Sequence, residues 1–300
     1  MAYPQIAAFA RLANGNVAPT RSIAGQSTKI GRASHDVYYD ETHDELVVGS
    51  ANGQAVITLR GGANGDEKPL RIIQGPHTQL QSPGYGVYVD EVHNETWVVE
   101  GRDRPGEEYI LVFPRTGNGD VAPIRVIKGP DTKLKNARNI VVDPVRNLVA
   151  VSSNNGCLVF NRTDNGNVAP RAIIRGPGGN FRLIASKGYI ISAQGGGGGD
   201  DDEDAPRGGR GGGGGRGGEG GGNRGGGGGG EARGGAGGGR SGGIAVWSIT
   251  DNGNVPPLFR LVNPNGNIGG GRVALNPKEK EVILGGRTFV TMYSFPEIFN

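Results

Sequence analysis

Five Asn-Gly pairs recur along the 300-residue chain, each with a bulky apolar residue five positions before it and a proline five positions after it. The asparagines are Asn14, Asn64, Asn118, Asn165 and Asn252. They are preceded by Phe9, Leu59, Phe113, Phe160 and Trp247, and followed by Pro19, Pro69, Pro123, Pro170 and Pro257. Successive prolines lie 50, 54, 47 and 87 residues apart, and a glycine-rich stretch inside the last interval accounts for its excess. A repeat of about 48 residues built from short apolar runs and turns cannot bury its own faces, and stacking such units in a ring covers them.

The copy at 116–162 displays the parts. After its proline come Arg125, Val126 and Ile127, an outer strand leaving through Gly129 to Thr132; then Ile140 to Asp143, a tight turn at Pro144 to Asn147, Leu148 to Val151, and Leu158 to Phe160. Matching inner strands fall at Val37 to Asp40, Gly86 to Asp90 and Val273 to Asn276. Matching second strands fall at Leu46 to Gly49, Trp97 to Glu100 and Val282 to Gly285. β-Branched and aromatic residues dominate these runs and no window keeps a helical period. The expected fold is all-β, a single propeller of five blades spanning 1–300, with a low-complexity insert at 195–243 in the fourth blade.

Composition narrows the class further only at its margins. Cys157 is the sole cysteine, which excludes an intrachain disulfide, and its place in a third strand makes it a buried small hydrophobe. No apolar run is long enough to span a bilayer, and "MAYPQIAAFA" lacks the basic head and long apolar core of a signal peptide. The compartment is left open, and an extracellular one is compatible with a targeting segment removed beforehand. A formal charge of +3 does not by itself imply an anionic partner.

The runs "GVYVDEVHNETWVVEG", "YILVFPRTGNGDVAPIRVIKGP" and "CLVFNRTDNGNVAPRAIIRGP" make the chain resemble the NHL-type and related bacterial, lactonase-like β-propellers. That resemblance covers everything but the insert. It implies the fold; for function it implies a set that includes protein-binding platforms, nucleic-acid readers, lyases and lactone hydrolases. Lactone-hydrolysing members hold a divalent cation on carboxylate and amide oxygens at the ring's centre, a donor set suited to a hard metal. The residues leading into the inner strands here are His35, Asp36, Tyr85, Arg138, Asn139, Asn180, Arg182 and Arg272. Only Asp36 among them is a carboxylate while arginines predominate, so the funnel is expected to repel a cation and either to take an anion or simply to consist of salt-bridged strand ends. No complete set of nucleophile, base or ligands is visible. The chain is therefore read as having no catalytic residue, metal or cofactor, with a metal-dependent lactonase-like hydrolase as the rival.

The histidines at 43 and 93 stand at matching places in "DETHDE" and "DEVHNE", which points to turn chemistry rather than a site. "DNGN" at 164 and 251 lacks the glycine position and distant glutamate of an EF-hand loop. Asn-Gly is instead the favoured pair for a tight hairpin turn. In the insert, Arg207, Arg210, Arg216, Arg224, Arg233 and Arg240 are spaced through glycine, the composition of an Arg-Gly RNA-binding adaptor. Seven acids offset these six arginines and no aromatic is present to stack on a base, so a solvated or self-associating loop is favoured over nucleic-acid binding.

The strand count carries the sharpest functional expectation. Inner, second and outer strands each occur five times, whereas the third strand occurs six times: Ile6 to Ala10, 55–59, 109–113, 157–160, 244–247 and Phe289 to Tyr293. Ser22 to Ala24 is expected to close the ring as the last blade's outer strand. That leaves Ile6 to Ala10, with Phe9, and Phe289 to Tyr293, with Met292, as rivals for one place. A surplus strand can be offered to another molecule by edge addition, so the expected partner is protein, including a second copy in head-to-tail polymers, and no membrane. Phe9, Phe113, Phe160, Trp247 and Tyr293 share one repeat position, which is expected to pack between blades.

Overall fold

The computed structural model describes residues 5–32, 34, 36–101, 107–194, 243–262, 271–286 and 290–300. It is a five-bladed all-β propeller, as the repeat predicts. An N-terminal hairpin pairs β1 (Gln5–Ala8) with β2 (Arg21–Ala24). Blade 1 follows as β3 (Val37–Asp40), β4 (Glu45–Ser50), β5 (Ala55–Arg60) and β6 (Arg71–Gln74), and blade 2 as β7 (Gly86–Asp90), β8 (Glu95–Glu100), β9 (Tyr109–Pro114) and β10 (Arg125–Lys128). Blade 3 comprises β11 (Ile140–Asp143), β12 (Leu148–Ser153), β13 (Gly156–Asn161) and β14 (Ala172–Ile174); blade 4 comprises β15 (Phe181–Ile184), β16 (Tyr189–Gln194), β17 (Gly243–Ser248) and β18 (Phe259–Val262). Blade 5 has three strands, β19 (Arg272–Asn276), β20 (Glu281–Gly285) and β21 (Val290–Ser294), and ends in a short 3-10 turn at Pro296–Ile298.

Each blade is an antiparallel meander whose apolar faces meet those of its neighbours. Phe113 of blade 2 lies in one cluster with Val47, Val56 and Ile73 of blade 1, and Phe160 of blade 3 joins Trp97, Ile110 and Ile127 of blade 2. Trp247 of blade 4 packs with Leu148 and Ile174 of blade 3, and Phe295 and Ile298 of blade 5 with Ile191 and Val246 of blade 4. The repeated aromatic position thus fills the gap between blades, with Leu59, Phe113 and Phe160 at 0% exposure. Phe9 departs from that expectation at 54% exposure, because no blade faces it. A fifth cluster joins Ile23, with Ile6 against it, to blade 1. Among the described residues no apolar cluster joins the hairpin to blade 5, which makes that junction a seam.

The Asn-Gly pairs do something other than tighten a hairpin. Their glycines hold positive φ, from 66° at Gly65 to 81° at Gly253, while none of the five asparagines does. A two-residue hairpin turn of the favoured Asn-Gly kind would require positive φ at both positions. Instead four of the five glycines reach the preceding outer strand: Ile23 bridges Gly65, Ile73 bridges Gly119, Ile127 bridges Gly166 and Ile174 bridges Gly253. The neighbouring asparagine Oδ1 accepts a backbone N–H of the same strand, from Ser22 to Asn64 at 3.1 Å, Ile72 to Asn118 at 3.0 Å, Val126 to Asn165 at 2.9 Å and Ile173 to Asn252 at 3.0 Å. The motif is a clasp between blades.

Candidate functional site

At the hub, the residue ahead of an inner strand reaches the next blade. Asp36 Oδ2 accepts the Val87 N–H at 3.4 Å, and Asn139 Oδ1 accepts the Phe181 N–H at 3.0 Å. Asp36 Oδ1 also accepts from the Arg182 guanidinium at 3.1 Å and lies 3.7 Å from that of Arg272, so one buried carboxylate ties together blades 1, 2, 4 and 5. Of the two expectations for the funnel the geometry matches salt-bridged strand ends: two of its arginines are spent on Asp36, and buried Glu100 and Glu108 accept the Ser82 and Asn136 N–H groups near the same mouth. Arg138 bonds the Asn136 side chain at 3.3 Å, while Tyr85 and Asn180 are half-buried beside their inner strands. His35 lies outside the described residues.

The remaining titratable groups mostly close turns or fill the core. His43 and His93 each bond the aspartate three positions earlier, Asp40 at 2.8 Å and Asp90 at 2.7 Å, which is turn stapling. Asp164 and Asp251 accept the N–H groups of Asn161 and Ser248 and so close their own turns. Burial pushes the Tyr38 and Tyr88 hydroxyls up, Tyr88 to about 12, as the two rings pack at 4.6 Å. Burial likewise raises the Cys157 thiol, in keeping with an inert side chain. Among the described residues no three of His, Cys, Asp and Glu gather as a metal cluster, and no helix is long and apolar enough to cross a membrane.

Toward the rim, a second repeated contact became visible only in three dimensions. Glu45, heading β4, is held by Arg71 of its own outer strand at 2.6 Å and by Arg115 of blade 2 at 2.9 Å. Glu95, heading β8, is held by Arg125 at 2.8 Å and by Arg162 of blade 3 at 3.0 Å. In blade 4 the same three places hold Tyr189, Phe259 and Phe295, which pack edge to face at 5.8 and 6.5 Å. The sequence signal was present as an arginine two residues after the proline and a glutamate opening the second strand.

At the seam these patterns break. Blade 5 meets blade 1 through Arg272 on Asp36 at the hub and through Lys278 on Glu41, an exposed pair in the turns that follow the two inner strands. At the rim, Glu281 opens β20 as Glu45 opens β4, and its partner is Arg11 of the hairpin at 2.9 Å. β2 keeps its place on blade 1 through Ile23 and Gly65, but its inner edge is taken by β1, in the register Gln5–Ala24 to Ala8–Arg21. The expected closure of β2 onto the last third strand is therefore not the observed one: among the described residues β21 pairs only with β20. Val290 and Met292 stand 68% and 39% exposed on β21, Tyr293 is half-buried, and Ile6 is half-buried on β1. Phe289 and the six insert arginines lie outside the described residues.

No family model matches the chain, and no curated protein matches it. Solved structures do. The β-propeller domain of Cps50 (Swd1) from Myceliophteria thermophila matches with a TM-score of 0.51 at 9% identity, over 89% of this chain and 67% of that one. Hydrazine synthase of Kuenenia stuttgartiensis matches with a TM-score of 0.52 at 14% identity, over 87% of this chain and 64% of that one. A likeness at this level is one of fold, and the chain spans about two thirds of the length of these solved chains.

Proposed function

We propose that the chain is a noncatalytic propeller whose role is assembly, joining copies head to tail by strand addition at the seam between blade 5 and the hairpin. The observation that carries this reading is the pair of half-used strands there: among the described residues β1 holds only β2, and β21 holds only β20. Unpaired strand edges are templates for another chain. The two edges compete for one strand, β2, so the one left over is free for a neighbouring molecule, and such a contact repeats without closing unless a rotation brings it round to a ring. Chemistry at the hub is disfavoured by its engagement, since Asp36, its only carboxylate ahead of an inner strand, already serves four blades.

Light scattering and negative-stain electron microscopy on the full chain and on a form lacking residues 1–12 test the proposal. The full chain is expected to form polymers whose length grows with concentration, and the shortened chain to remain a folded monomer. A full chain that stays monomeric at high concentration, or polymers that persist without residues 1–12, would overturn it.

A further inference from the structure

Four outer strands are covered on their outward edge by the clasp of the following blade; β18 is not. Arg260 and Val262 stand where Ser22 and Ala24 stand on β2, and among the described residues their outward backbone groups meet no Asn-Gly turn. The missing cover shows in the side chain between them. Ile23, Ile73, Ile127 and Ile174 are at most 4% exposed, whereas Leu261 is only half-buried. The one turn left over is Asn14-Gly15, whose glycine has the same backbone conformation, φ 75°, as the four that bind, yet no strand to hold. One molecule thus carries a surplus third strand, an uncovered outer strand and an open β21 edge.

Resting on the assembly reading above, we infer that β1 leaves β2 and adds to the outward edge of β18 on a second copy, while β2 closes onto β21 of its own chain. This single exchange satisfies all three edges in every copy, and it leaves each propeller a closed ring. Charge supports the second half of it. β2 opens on Arg21 and β20 on Glu281, the residue types that pair in blades 1 and 2 as Arg71–Glu45 and Arg125–Glu95. Glu281 therefore trades one guanidinium, Arg11, for another. Hydrogen bonding supports it too, because a four-residue β1–β2 ladder is replaced by a β2–β21 ladder while Ile23 stays clasped to Gly65. Apolar cover is gained on both sides: β2 shields exposed Val290 and Met292, and the incoming arm with Ile6 and Phe9 shields Val262 and Leu261. A released strand that costs little to free, and an acceptor edge elsewhere on the same molecule, make a polymer rather than a closed dimer.

Two engineered disulfides separate this exchange from other modes of assembly. Ser22 sends its N–H to Asn64 and its carbonyl to Gly65, away from β1, so Ala7 and Ser22 face each other as a non-hydrogen-bonded pair. Such pairs have Cα atoms about 4.5 Å apart, at the short end of what a disulfide spans. Oxidised Ala7→Cys/Ser22→Cys protein is expected to remain monomeric and to polymerise on reduction. The register of blade 1, where Ile72 faces Ile57, places Ser22 opposite Thr291 after closure. Ser22→Cys/Thr291→Cys is therefore expected to cross-link within one chain and still polymerise. Buried Cys157 does not compete for either bond. Arg260→Pro, which removes an outward N–H from an edge strand, is expected to give a folded protein with at least tenfold fewer polymers at a fixed concentration. Unmodified protein that never polymerises refutes the assembly reading itself. Polymers from the unmodified chain that form equally well with the Ala7–Ser22 bond closed, or with proline at 260, refute the exchange and leave assembly standing.

Discussion

Replacing each clasp asparagine by alanine, one at a time, separates what the turn does for itself from what it does for its neighbour. In Asn118→Ala the Oδ1 that accepts the Ile72 N–H at 3.0 Å is lost, and that N–H is left on a half-buried strand. The net worth of such a bond is about 0.5–1.5 kcal/mol, and an unsatisfied partner adds toward the upper end. Asn64→Ala, Asn165→Ala and Asn252→Ala remove equivalent bonds of 2.9–3.1 Å and are expected to cost the same. For a domain of this size that is about 2–4 °C in Tm. Asn14 has the same sequence surroundings and no strand to clasp, so Asn14→Ala is expected to stay within about 0.5 kcal/mol of the parent. Urea unfolding followed by the fluorescence of Trp97 and Trp247, at concentrations where the protein is monomeric, measures all five. A cost for Asn14→Ala equal to that of Asn118→Ala would show that the asparagines act only within their own turns, and the inter-blade account would fail.

The ion triads predict an acid response. Burial pushes the Glu45 carboxyl up, but the bonded guanidinium of Arg71 and the charge of Arg115 outweigh it and hold the group below its ordinary 4.5. A lowered carboxylate stabilises the fold above its unfolded value and loses that contribution as the pH falls through the folded one. The gap in unfolding midpoint between the parent and Glu45→Gln should thus be wide at pH 7 and narrow as the pH falls below 4.5; a gap that is constant with pH would contradict it. Deleting residues 195–242 and joining Gln194 to Gly243 by a two-residue turn should leave cooperative unfolding intact, because those two residues already face each other in the β16–β17 ladder. A broad, non-cooperative melt would show that the insert is structural. Circular dichroism should report strand with almost no helix, and helix content near a third would be incompatible with the blade assignment.

Strand order, blade number and the inner-strand boundaries were legible because a period-two apolar pattern repeats at fixed distance from a proline, and errors in one copy are corrected by the others. The inter-blade role of Asn-Gly was not, because local propensity favours a hairpin turn and the partner strand lies some 40 residues away in three of the four clasps. Phe9 shows the same limit from the other side: repeat position made it core, and only the absence of a facing blade left it exposed. Counting charges at the hub left two readings open for a related reason. Asp36 and its two arginines belong to blades 1, 4 and 5, so a list of residues ahead of each strand cannot show that they neutralise one another.

A propeller meets a topological demand at the point where its last blade meets its first, since one blade must be completed by strands from both ends of the repeat array. In this chain the N-terminal end brings two strands to that point, β1 and β2, where one would suffice, and blade 5 brings three. Both β1 and β21 are third strands by repeat position, so they compete for the same edge of β2, and whichever wins leaves the other with an open edge. If β1 wins, as here, the seam is held by ion pairs, Arg11–Glu281, Lys278–Glu41 and the longer Arg272–Asp36 contact, without an apolar cluster among the described residues. Exposed ion pairs contribute about 0–1 kcal/mol each, less than the burial of one large side chain, at about 1.5–3 kcal/mol. The seam is accordingly the weakest junction in the ring, and burying Phe9, Val262, Val290 and Met292 elsewhere favours opening it. The energetic imbalance falls at the same place as the strand surplus, so the proposal of assembly through the N-terminal strand is argued from the packing as well as from the count.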